Sequence, residues 1–81
     1  MIIECENIEQ FKEIGNKIID REKYVLYLTS DSSAILRPIV TTKGRDTIVV
    51  RNLTQSEREE LERWWGKVYR VKSMMREDLF L

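Results

Sequence analysis

Histidine is absent from this chain, and cysteine occurs once, at position 5. Without imidazole there is no Ser-His-Asp or Cys-His machinery and no Cys/His zinc site. A lone cysteine cannot close an internal disulfide or form a CxxC redox pair. A phosphatase-type loop would want arginine six residues after the thiol, and that position is Phe11. Cys5 therefore reads as a structural thiol. Glycine is sparse, at three residues, and neither GxGxxG nor GxxxxGK[ST] occurs, so both standard phosphate loops are missing. No apolar run approaches the ~18 residues of a membrane span. The opening "MIIECENIEQF" lacks the basic and long apolar regions of a signal peptide. The expectation is a cytoplasmic, non-catalytic protein without membrane contact, cofactor or metal.

What is present is enough for a core. Of the 81 residues, 42% are apolar and 35% charged, with no net charge. That size and composition fit one domain, residues 1–81, with little tendency to disorder. Charge is slightly uneven: residues 1–42 hold seven acids and five bases, residues 43–81 seven acids and nine bases. An imbalance of two does not announce a nucleic-acid binder. Frequent isoleucine, abundant charge and glutamine only at positions 10 and 55 match the composition of heat-adapted proteins.

Local patterns mark most elements. "MIIEC" reads as an opening strand. Asn7 then offers an N-cap oxygen, with Gln10 at the reciprocal position. Ile8, Phe11, Ile14 and Ile18 follow at helical spacing, and Glu13 precedes Lys17 in the favourable i,i+4 order. Gly15 inside this helix costs about 1 kcal/mol relative to Ala, so close packing against the sheet is expected there. "KYVLYLTS" is apolar without alternation, which suits a strand buried on both faces. "TIVVRNL" is a second strand of that type. It runs into "TQSEREELERWW", whose Thr54 and Glu57 form a capping box.

Two stretches are ambiguous. Residues 31–46 favour a short or kinked helix closed by Gly44, although Pro38 would remove one of its hydrogen bonds. A hairpin pairing "PIVTT" with "TIVV" is the alternative, favoured by the β-branched residues. In residues 61–71, "LERWWGKVYRV", either the helix ends at Gly66 and a strand follows, or it continues with Leu61, Trp64, Val68, Val71 and Met75 as a coiled-coil seam. The break at Gly66 is preferred, leaving the tryptophans mainly in the core. The result is a small α/β domain, β-α-β-(α or loop)-β-α-β, with a mostly parallel sheet. A ferredoxin-like βαββαβ sandwich is the alternative.

Three stretches could carry function. In open α/β sheets ligands bind beyond the carboxyl ends of the strands. There Thr29, Ser30, Asp31, Ser32 and Ser33 could receive an anion or nucleotide if they open a helix, although such residues also simply cap helices and make turns. Arg63, Lys67, Arg70, Lys72 and Arg76, interleaved with Trp64, Trp65 and Tyr69, could bind nucleic acid, with Glu59, Glu60 and Glu62 opposing it. The tail, residues 74–81, places Met74, Met75, Leu79, Phe80 and Leu81 at the end of a small domain, where exposed apolar side chains mark association. The leading expectation is a homodimer or accessory subunit that binds itself or another protein through its C-terminal third.

Overall fold

The computed structural model of the chain describes residues 2–39 and 46–71. It is a small α/β domain with one five-stranded sheet and two helices. In chain order these are β1 (Ile2–Cys5), α1 (Ile8–Asn16), β2 (Tyr24–Thr29), β3 (Ala34–Pro38), β4 (Thr47–Val50), α2 (Gln55–Trp65) and β5 (Val68–Val71). A 3-10 turn, Arg21–Lys23, leads into β2. The sheet order is β1-β4-β3-β2-β5. β1 pairs with β4 and β2 with β5 in parallel, while β3 runs antiparallel to both its neighbours. Four strands therefore point the same way and the central one points back.

The expected helix in residues 31–46, and with it the mostly parallel sheet, is corrected at residues 34–38. Ala34, Ile35 and Leu36 are fully buried and pair on both sides, with β2 and with β4. A helix there could bury only one stripe. The proline fits because of where the strand ends. Ile39 donates its N–H to the Lys23 carbonyl, at 2.8 Å. Alternation therefore turns the Pro38 nitrogen towards β4, where pairing has already stopped at Leu36. The antiparallel β3–β4 pair shares only its orientation with the hairpin alternative: Ala34–Leu36, not "PIVTT", pair with Ile48–Val50. With β2 and β3 as separate strands, the sheet is not the four-stranded ferredoxin-like one either.

Both helix starts follow their sequence signals. Asn7 accepts from the Gln10 N–H at 2.9 Å, and the Gln10 side chain reaches back to the Glu6 N–H at 2.8 Å. Thr54 and Glu57 make the full reciprocal capping box. α2 stops at Trp65 because Gly66 takes φ +92°, a left-handed conformation that costs glycine least, and its N–H closes on the Glu62 carbonyl. The coiled-coil alternative is thereby removed.

Both helices pack on one face of the sheet. Ile8 and Phe11 of α1 and Leu61 and Trp65 of α2 meet Leu26, Leu28, Leu36, Ile48 and Val50 in one core. A Lys12–Glu60 ion pair at 2.6 Å ties the helices together. Gly15 permits their close approach. Its nearest neighbour is the Trp64 ring on α2, with Leu36 of the sheet farther away. The close packing expected against the sheet is thus mainly against the other helix.

Candidate functional site

The two ends of the sheet carry different sets of described residues. At the carboxyl ends of β1, β2 and β4 lie Glu6, Asn7, Ser30, Asn52 and Thr54. The premise that Thr29–Ser33 opens a helix is corrected: these residues form the β2–β3 hairpin turn. The Thr29 N–H donates to the Ser33 carbonyl at 3.0 Å, and its hydroxyl bonds the Asp31 carboxylate and accepts from the Ser33 N–H. Ser32 sits at φ +66° and accepts from the Leu53 N–H at 2.9 Å, while Arg58 donates to the Thr29 carbonyl. Ser30 and Asp31 are exposed, Ser32 is half-buried, and Thr29 and Ser33 are buried. The Thr29, Ser32 and Ser33 backbone groups and the Thr29 and Asp31 side chains are bonded within the turn or to the start of α2. At the N-termini of α1 and α2, the cap side chains likewise engage backbone N–H groups themselves.

The tryptophans turn inward. Trp65 is 8% exposed and donates its indole N–H to the Tyr24 carbonyl at 3.2 Å. Trp64 is half-buried, donates to Asn16 Oδ1 at 3.1 Å and meets Phe11 edge-on at 6.0 Å. Arg21 lies over Trp65, 4.1 Å from the ring centroid, and donates to the Trp64 carbonyl at 3.3 Å. It combines a cation–π contact with a positive charge at the negative end of α2. Sequence reading missed Arg21, since nothing local pairs it with a helix forty residues away. The Trp65 indole is buried beneath Arg21, and Trp64 is partly covered. Tyr69, by contrast, is 54% exposed, on the other side of the sheet. Arg63 and Lys67 are exposed around Gly66, with Glu59 and Glu62 beside Arg63 in the same shallow groove.

The amino ends of the same strands look different. Ile2 is 48% exposed at the start of β1, Ile19 97% exposed just before the 3-10 turn, and Ile39 47% exposed after β3. Because β3 is antiparallel, its end lies beside the start of β2, so all three isoleucines come to one end of the sheet. Of the three, Ile19 lines a cleft of about 310 Å³ beside α1, together with Ile14, Lys17, Ile18, Asp20, Tyr24, Asp46 and Ile48. It is mainly apolar, with one cation and two carboxylates around it.

The face of the sheet away from the helices carries one continuous lateral row, Glu4–Val49–Ile35–Tyr27–Tyr69, set by the registers of all five strands. The two tyrosines pack edge-on at 5.8 Å. Arg51 bonds Glu4 at 3.1 Å at the far side. Cys5 lies in the helix-side core, where burial and then the neighbouring Glu4 charge push its thiol pKa up. That is the opposite of what an activated nucleophile requires. The expected contact residues Met74, Met75, Leu79, Phe80 and Leu81, and the cations Lys72 and Arg76, lie outside the described residues. Among the described residues, no helix is long and apolar enough to cross a membrane. No family model, curated protein or solved structure matches this chain.

Proposed function

We propose that this protein is a non-catalytic association domain acting as a homo-oligomer, with the isoleucine end of the sheet as its contact surface. The observation that carries this reading is the almost fully exposed Ile19 on the rim of a mainly apolar cleft, with Ile2 and Ile39 also exposed at the amino end of the sheet. Single exposed apolar residues are ordinary, but one standing on the rim of an apolar cleft supports an association reading. A second copy fits best as the partner. A two-fold contact uses the same patch twice and must complement itself. Side chains of both signs, Lys17 and Lys23 with Asp20, Glu22 and Asp46, around this end support that reading.

Fully burying an exposed isoleucine contributes about 1.5–3 kcal/mol, and association costs at least ~4 kcal/mol, so the oligomer is expected to be weak and concentration-dependent. The test is molar mass by light scattering across a concentration series, for the parent and for Ile19→Asp. At 97% exposure Ile19 holds no part of the core, so the substitution leaves the fold intact. The parent is expected to exceed 9.7 kDa as concentration rises, and the variant to stay at it. A parent that remains monomeric at millimolar concentration refutes the proposal.

A further inference from the structure

We propose that Ile19 of one copy enters the cleft of a second copy, and the reverse, so that two chains meet in a two-fold knob-and-socket contact. This rests on the association reading above and specifies how the copies meet. Ile14 and Ile18 are half-buried and pack against the core, whereas Ile19, the next residue, is 97% exposed. Although it stands on the rim of the cleft, its side chain therefore does not fill the cleft of its own chain. The backbone on either side of it is anchored. The Lys17 and Ile18 N–H groups donate to the Ile14 and Gly15 carbonyls at 3.1 and 3.2 Å, and the Lys23 N–H to the Asp20 carbonyl at 3.0 Å. A knob held out on fixed backbone loses little freedom on association, which lowers the cost of binding.

The socket matches this knob in size, lining and charge. The cleft measures about 310 Å³. A four-carbon side chain occupies roughly 120 Å³, if each carbon group takes about the volume share of a water molecule. One isoleucine therefore enters with space left for its neighbours to adjust. Ile14, Ile18, Tyr24 and Ile48 offer it apolar walls. On the rim stand Lys17, Asp20 and Asp46, so a contact of rim with rim brings the ammonium of each copy towards carboxylates of the other. The Lys17–Glu13 pair is long, at 3.7 Å, and exposed at both ends, so the amine can turn to a partner at little cost. Knob and socket also adjoin on one surface. A two-fold axis through the rim then satisfies both at once and closes the assembly at two copies, whereas a distant socket would propagate a chain. A partner of another sequence would have to bring both features; a second copy already has them.

The test uses an equal mixture of isotope-labelled and unlabelled full chain, at a concentration where light scattering shows association. NMR spectra filtered to pass only contacts between copies are expected to connect the Ile19 methyls with the Tyr24 ring and the Ile48 methyls. Ile19→Val removes one methylene from each of two knobs and should raise the dimer Kd about tenfold. An associated chain whose Ile19 touches no cleft residue of the other copy overturns the knob-and-socket contact and leaves the association reading standing. So does an Ile19→Val variant that associates as tightly as the parent. A chain that stays monomeric at millimolar concentration removes both.

Discussion

Replacing Gly15 by alanine separates local from tertiary control of α1. In an exposed helix the change would stabilise by about 1 kcal/mol, because alanine is the better helix former. Here the added Cβ would stand 2.4 Å from Trp64 Cη2 and 2.8 Å from Cζ2, with Leu36 Cδ2 at 3.3 Å. The ring cannot swing away freely. Its indole N–H is bonded to Asn16, Phe11 and Trp65 pack against it, and its own backbone carbonyl holds Arg21. Overpacking of this kind costs about 1–3 kcal/mol, and moving the indole off Asn16 forfeits about another 1 kcal/mol. Set against the propensity gain, the net is a destabilisation of about 1–3 kcal/mol. For a domain of this size each kcal/mol lowers Tm by roughly 4–8 °C. Urea unfolding followed by tryptophan fluorescence measures it directly. In a Trp64→Val background the same alanine has room, so its effect should change sign, and the double-mutant cycle reports the coupling. An alanine variant as stable as the parent, or more so, refutes the packing argument.

Gly66→Ala meets no atom within 4 Å, so its cost is conformational alone, set by φ +92°; a loss of about 1–2 kcal/mol is expected in the same unfolding assay. Cys5 holds its proton more tightly in the fold than in the unfolded chain, so its contribution is complete below the ordinary thiol value of 9.0 and declines as pH rises beyond it. Stability measured from pH 7 to 11 should therefore fall more steeply for the parent than for Cys5→Ala, and parallel curves would contradict this. With both indoles turned inward and the 29–33 turn bonded to itself, labelled oligonucleotides at low salt should leave tryptophan emission unchanged. Phosphate or nucleotides should likewise raise Tm no more than chloride at equal ionic strength.

The sequence by itself determined the parts of this protein that short-range physics controls. Asn7–Gln10 and Thr54–Glu57 start the helices because a cap needs only a side chain within three or four residues of a free N–H. Gly66 ends α2 because backbone sterics at one residue suffice. "YVLYLT" announced burial on both faces, and β2 is buried along both. Residues 34–38 could not be read in this way. "SSAILRP" carries cap, apolar run and proline in an order that a helix and a strand share, and only pairing with β2 and β4 at once selects the strand. Tertiary structure also decided that Gly15 faces Trp64, that Arg21 covers Trp65, and that Ile19 stands at the rim of a cleft shared with Tyr24 and Ile48. Each depends on which strands become neighbours. That choice rests on closing a core from segments twenty to fifty residues apart, and no local pattern encodes it.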